Sequence, residues 1–453
     1  MTSQDNPTPA GQIPPVFDHA APHQQHPKLR PVRAFQAQSD GKVLLGIADA
    51  RQITEKVVFT HPAAQALLPV MDGTRTIEQL VAQIGQGLTV EVMQQLVAQF
   101  EDAGLLEGPR FDAILADMHT TFDASPTLPP GATAAFADAL VRESVGNDEV
   151  TEAELVALGG LKLRELMDKW IDHALKDVEN PSFDSLPSAI VVPHIDYPRG
   201  WVNYAHCWGR MRVVDRPDRV IVLGTNHFGF STGVTGCDKG FESPLGVCEL
   251  DSDVADGLRA KLGDVLFEHR FDHEREHSVE LQIPWIQHCL GKDEDGNYPR
   301  VFAALVHDPA VNNGGSYDGS GVGMDAFVTA MKEVLSSLSG TTLVIASADL
   351  SHVGPAFGDP LPLAGDDEQV VAFRNNVVQS DQQRLQMYSN LDWEGFVNTM
   401  AWQQNPTRWC SIGNLVAAMR IVEPKSAAVL NYAAAMDQAG QALVSHAAIA
   451  MYS

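Results

Sequence analysis

The sequence predicts an α/β protein: a central, mostly parallel sheet flanked by helices, with a smaller α+β unit in front of it. Three observations predict this. Four short, β-branched-rich apolar runs, 189–192, 219–223, 301–306 and 342–346, are each bounded by polar turns. Strands buried on both faces of a sheet look like this. The segments between them, 253–262, 278–290 and 324–338, carry helical spacing, and strands alternating with helices build parallel sheets. The composition permits it: 44% of the 453 residues are hydrophobic and 20% charged, enough for a buried core in two or three domains.

Charge excludes some partners. Lys+Arg is 31 against Asp+Glu 58, a net charge of −27. Nucleic-acid binders need cations to displace phosphate counterions, and anionic lipid surfaces attract basic segments. Neither nucleic acid nor membrane is expected as a partner. No stretch approaches the roughly 20 apolar residues of a membrane span. The start MTSQDNPTPAGQIPP has no basic end and no apolar run, so no secretory signal is expected. The five cysteines are odd in number and lack C-x-x-C spacing. That predicts a reduced, cytoplasmic protein with neither a disulfide scaffold nor a Cys-rich zinc site.

In chain order, residues 1–30 are rich in Pro, Gln and His without apolar period and read as a disordered tail. His19, His23 and His26 are tail residues or a weak metal site. Residues 31–110 read as a compact unit. Strands are expected at 43–47 and 57–59, a helix from Pro62, and a turn at Asp72-Gly73. Thr76 caps a helix holding Ile77, Leu80, Val81 and Ile84, and a third helix runs from Val90 to Ala103 and stops at Gly104. This pattern, through Leu105-Leu106, resembles the PqqD-like winged-helix family of peptide-recognition modules. The resemblance implies a winged-helix-like domain that docks a peptide or a protein partner. Residues 111–186 read as a helical connector. It breaks at 125–131, restarts at Thr151 with Glu154 in the capping-box position, and continues as an amphipathic helix through Leu163, Met167, Trp170, Ile171 and Leu175. Residues 187–453 form the α/β domain.

The chemistry concentrates at strand ends. Nine of the sixteen histidines lie between 194 and 352. Strand 189–192 runs into Pro193-His194-Ile195-Asp196-Tyr197, strand 219–223 into Gly224-Thr225-Asn226-His227-Phe228, and strand 342–346 into Ser347-Ala348-Asp349-Leu350-Ser351-His352. Open α/β sheets bind ligands beyond the carboxyl ends of their strands. His194, His227 and His352 are therefore expected to share one crevice. A fourth cluster, Glu276-His277-Ser278-Val279-Glu280, opens a helix. Glu280 falls in the first turn, where the dipole favours a carboxylate, and it could orient an imidazole or bind a metal. Cys410 lies in a loop before a helix. It is either an inert buried thiol or a reactive one lowered by the helix N-terminus. His206, His269, His273, His288, His307 and His446 are expected to pack or face solvent.

Pro193-His194-x-x-Tyr197-x-x-Gly200, Gly224-x-x-His227, Glu276-His277-Ser278-x-Glu280, Ser347-x-Asp349-x-x-His352, Leu430-Asn431-Tyr432-Ala433 and Val444-Ser445-x-Ala447-Ala448 together resemble the Memo family. That family includes the AmmeMemoRadiSam system protein B, and its fold is similar to that of class III extradiol dioxygenases, which are non-haem iron(II) enzymes. The resemblance implies metal-site roles for His194 and His227. It places His352 as general acid/base beside Asp349. His277 and Glu280 are further catalytic candidates, and Tyr197 and Asn226 are candidates for contacting substrate. Two positions depart from the family pattern. Phe228 stands where a second histidine is frequent, and Thr407 occupies the slot of the family's late cysteine ligand, leaving Cys410 as its substitute. Iron(II) is the cofactor implied, with copper or zinc as alternatives. The function implied is a metal-dependent oxidoreductase acting on a small-molecule or peptide substrate. The rival expectation is a non-catalytic protein that binds a peptide or phosphopeptide in a radical-enzyme or peptide-modification pathway.

Overall fold

In the computed structural model, which describes residues 14–39, 41–85, 87–146 and 150–453, the chain divides into two compact units after Ser125. In the first, β1 (Val32–Ser39), β2 (Lys42–Asp49) and β3 (Val58–Thr60) form an antiparallel sheet in that order. Helices Ile77–Ile84 and Val90–Asp102 start at Thr76 and Thr89, whose side chains accept backbone N–H groups of the first turn. Their apolar faces bury Ile77, Leu80, Met93, Val97 and Phe100 against Leu45 and Ile47. Arg30 and Asp49 form a buried ion pair at 3.1 Å, with Arg30 also lying over the Phe111 ring.

The tail expected over 1–30 needs correction for its second half. Residues 1–13 lie outside the described residues. From Pro14 onward the chain is built into the first unit: Phe17 joins its core, His23 pairs with Glu101 at 3.0 Å, and Leu29 bridges to Leu106. Two isolated apolar anchors suffice here, although they create no period for a sequence reading to find.

The stretch 111–186 holds three helices. Pro109–Ala124 belongs to the first unit, while Ala132–Val145 and Glu152–Leu175 belong to the second. In the second unit, β4 (Thr127–Leu128), β8 (Gly240–Ser243) and β9 (Gly246–Cys248) make a small sheet. The main sheet has eight strands. β5 (Ala189–Val192), β6 (Arg219–Gly224), β10 (Arg300–Leu305) and β11 (Thr342–Ser347) are parallel and adjacent in the order β5-β11-β6-β10. Nearly every residue in them is buried.

The remaining four strands are antiparallel: β7 (Thr235–Gly236) beside β10, and β12 (Asp349–Val353), β13 (Ser426–Met436) and β14 (Leu443–Tyr452) on the other flank. The sheet is thus mixed, and only its centre matches the mostly parallel expectation. β13 and β14 form a long hairpin, and antiparallel strands need only a short turn. One edge of β14 pairs along β13. The other pairs with β12 through Leu443, Val444 and His446, and with β5 through Ile449 to Met451.

Candidate metal centre

The carboxyl ends of β5, β6 and β11 open onto one cluster. His194 follows β5 by two residues. Its backbone N–H donates to Asp349 Oδ1 at 3.0 Å, and its Nδ1–H donates to the Ser347 carbonyl at 3.0 Å. His227 follows β6. Its Nδ1–H donates to Glu276 Oε1 at 3.0 Å and its backbone N–H to Glu276 Oε2 at 2.9 Å. Glu276 is the N-cap of the short helix His277–Glu280 and accepts from Ser278 N–H. Its Oε1 also lies 3.4 Å from His277 Nδ1.

One buried carboxylate therefore stands behind two imidazoles. Ligand nitrogens of His194, His227 and His277 all lie within 4.8 Å of one another. His194 is 1% exposed, whereas His227 and His277 are 21% and 33% exposed, so the cluster opens on their side. Cys410 Sγ lies 3.4 Å from His194 Nε2 and 3.1 Å from Ser411 Oγ.

A lattice of buried hydrogen bonds holds the frame. Ser278 Oγ accepts from Thr225 N–H at 2.9 Å. Gln282 Nε2 donates to the Pro193 carbonyl and to Ser347 Oγ. Asn414 Nδ2 donates to Thr225 Oγ1 and to the Ser347 carbonyl. Buried polar groups that are satisfied in this way rigidify a site.

Charges at the cluster oppose burial. Burial alone would raise the Glu276 carboxyl, but His227 and then His277 outweigh it and hold it at about 2. Burial pulls down His227, yet Glu276 beside it lifts the imidazole well above its ordinary value. At His277 burial prevails and lowers it to about 4, with the His194 and His227 charges adding and Glu276 opposing. That ring is neutral at pH 7, with a lone pair to offer. Burial would raise the Cys410 thiol, but His194 and His227 reverse this and bring it well below the ordinary thiol range.

The expected site residues divide. His194, His227, His277, Asp349 and Cys410 come together. His352 is not one of the three mutually close imidazoles; His277 takes that place. His352 lies close enough that a proton on its ring would favour the charged forms of Asp349 and Cys410. Its Nδ1–H donates to the Leu350 carbonyl, and its ring meets Phe357 edge-on. Thr407 bonds to Ser351 Oγ at 2.7 Å. Tyr197 is buried, with its hydroxyl on the Leu281 carbonyl. Asn226 bonds Asp272 and Gly229 N–H, which shapes its own loop.

Glu280 is engaged elsewhere. Its carboxylate accepts from the backbone N–H of Gly131, Ala132 and Thr133 and from Thr133 Oγ1, capping helix Ala132–Val145. Glu280→Ala is expected to lower stability by about 0.5–2 kcal/mol, the range for a lost cap. Thermal melting would register it, with metal uptake unchanged. Glu276 was the partner that residue types alone did not single out. It precedes His277 directly, but His227 is 49 positions away in sequence.

The donor set fits a divalent transition metal, because three imidazoles converge and a carboxylate and a carbonyl fix their tautomers. Among the described residues no helix is long and apolar enough to cross a membrane. A MEMO1 family protein of Caldivirga maquilingensis is 25% identical over 270 residues, 58% of this chain and 83% of its own. One from Methanopyrus kandleri is 25% identical over 297 residues, 64% of this chain and 92% of its own. One from Methanosarcina barkeri is 24% identical over 263 residues, 57% and 84%. The sequence profile of the family described as Memo-like protein matches residues 161–451. That span includes every residue of the imidazole cluster and more than half of the sequence, so the chain belongs to the Memo-like protein family.

Proposed function

We propose that the chain is a cytoplasmic, non-haem metal-dependent oxidoreductase, related in chemistry to the extradiol dioxygenases, with a small aromatic or peptide-borne substrate. The observation that supports it is the convergence of His194, His227 and His277 at the strand ends. Iron(II) is the proposed metal, with copper or zinc the alternatives that a nearby thiol suits. When bound, such a metal supplies Lewis acidity and, as iron, a redox couple toward dioxygen.

The chain's own residues do the rest. The Ser347 carbonyl and Glu276 hold the Nδ1 protons of His194 and His227, which leaves Nε2 of each as the donor nitrogen. His277 supplies the third imidazole and Cys410 the fourth donor. His352 has its Nδ1–H on Leu350, so its Nε2 is the nitrogen that accepts a substrate proton. Asp349 fixes the backbone of His194 and faces the charge that such a transfer creates on His352.

The test is metal analysis by mass spectrometry on untagged protein purified without air. About one iron per chain is expected, lost in His227→Ala, because removing one imidazole leaves too few ligands. Metal-free protein that cannot be reconstituted would remove the proposal.

A second reading draws on the first unit. Phe35 and Phe59 flank Gly46 across its sheet, meeting at 6.3 Å. Both rings are partly exposed, and Phe35 lies on the edge strand β1. Such an edge suits an added peptide strand, in keeping with a PqqD-like docking domain and an AmmeMemoRadiSam-type role beside a radical enzyme. A non-catalytic chain of this kind would hold a peptide or phosphopeptide partner. Partner capture would then survive His194→Ala and fail without residues 31–110. Equal capture by the shortened chain would eliminate this reading.

A further inference from the structure

Four aromatic rings on three helices stack in a row that runs from half-buried Trp201 to fully buried Tyr204. Trp201 and Tyr204 lie on helix Tyr197–Trp208, Trp170 on Glu152–Leu175, and Trp285 on Ile283–Leu290. Ring centroids are 6.5 Å apart for Trp201–Trp170, 6.4 Å for Trp170–Trp285 and 5.5 Å for Trp285–Tyr204. The planes are inclined by only 20°, 21° and 4°. Trp201 and Trp170 are half-buried, whereas Trp285 and Tyr204 are fully buried. The Tyr204 hydroxyl donates to the Ile195 carbonyl at 3.1 Å, and Ile195 follows His194 directly.

Packing alone accounts for aromatic rings in a core. It does not account for Trp285 Nε1, which is buried with no acceptor in reach among the described residues. An unsatisfied buried donor is costly. A phenylalanine would fill most of the same space without that cost.

We infer that this stack is a one-electron conduit between the metal crevice and water. Its biological use rests on the oxidoreductase reading above. Indole is among the side chains most readily oxidised by one electron. A buried indole with no acceptor cannot shed its N–H proton, so an oxidised Trp285 stays a cation and is refilled by Trp170. Tyr204, whose hydroxyl faces a carbonyl that cannot take a proton, serves as a bridge rather than a stop. Trp201 reaches water. One electron leaves it inward, its N–H proton passes to solvent, and a neutral indolyl radical remains there.

The oxidant consumed in the crevice is a peroxide. Two such electrons, with two protons, reduce one hydrogen peroxide to two waters. A thiol in solution returns a hydrogen atom to each indolyl radical. The conduit removes oxidising equivalents that no substrate has used.

The test needs no metal. Cys410 is the one cysteine of five that is not fully buried. A ruthenium(II) polypyridyl photo-oxidant is attached there on the full chain and flash-quenched with an external electron acceptor. Transient absorption and electron paramagnetic resonance are expected to show a neutral tryptophanyl radical. Trp170→Phe should cut its yield by about an order of magnitude. Trp201→Phe, at a half-buried position that tolerates change, should leave the radical cationic and short-lived. Melting curves confirm that both variants fold. A radical of equal yield and kind in the parent and both variants overturns the conduit. Metal uptake is measured on the unlabelled chain, because the label occupies Cys410: if the labelled chain behaves as expected but the unlabelled chain takes up no metal, the oxidoreductase reading fails and the conduit stands; the reverse result separates them the other way.

Discussion

Glu276→Gln is expected to weaken metal capture by about 10–100-fold, the usual consequence of losing an outer-shell partner. The carboxylate accepts from the His227 ring and backbone and from Ser278 N–H, and lies 3.4 Å from His277 Nδ1. An amide keeps the shape and one acceptor oxygen. It loses the negative charge that makes both imidazoles better donors, and it turns an N–H₂ toward groups that themselves donate. Glutamine is chosen over alanine because removing one partner of a buried charged pair outright costs about 3–5 kcal/mol and would confuse affinity with folding. Competition against a chromophoric chelator measures the affinity, and a melting curve checks the fold. An unchanged affinity would reduce Glu276 to a helix cap.

Gly413→Ala is expected to destabilise the protein by about 1–2 kcal/mol, although alanine favours a helix over glycine by about 1 kcal/mol. Gly413 lies in helix Ile412–Val422, and a Cβ there would sit 2.2 Å from the His307 carbonyl oxygen. That oxygen is backbone just past β10, and Val306 beside it is tied to Gly224 by a 2.8 Å hydrogen bond. The neighbour cannot swing away as a side chain would. Overpacking costs about 1–3 kcal/mol, and a contact this close to fixed backbone belongs at about 2–3 kcal/mol, which offsets the propensity gain and exceeds it. Urea denaturation should show a lower midpoint at unchanged slope. A raised midpoint would mean that helix and strand separate freely. The same shift would displace Asn414, which braces Thr225 and Ser347, so metal affinity should fall with stability.

The parallel centre of the sheet was legible because its strands are buried on both faces, which leaves runs such as Ala189–Val192 almost purely apolar. The crevice was legible in part: His194, His227 and His352 stand at strand ends, and topology brings such ends together, but His277 rather than His352 completes the close imidazole trio. The long hairpin was not. β13 reads SAAVLNYAAAM, and alanine carries little strand propensity. Its pairing with β14 is a tertiary fact. His277 was noticed, but its place among the donors depends on how the helix it opens docks beside β6. Glu280 was misread for the same reason: a carboxylate in a first turn looks like a partner for the nearby imidazole, and no local signal shows that the N–H groups it caps lie some 147 residues earlier. Residues 14–30 evaded the reading because two anchoring side chains make no pattern.

The pocket draws on segments far apart in the chain, with Cys410 and His194 separated by 216 positions and β5 completed along one edge by β14 at the C-terminus. A nascent polypeptide leaving the ribosome cannot assemble that arrangement until β14 has emerged. Contacts of such span are slow to form. On the metal-centre proposal, loading should therefore wait for β14, so that shorter nascent chains neither sequester scarce ions nor expose a reactive centre.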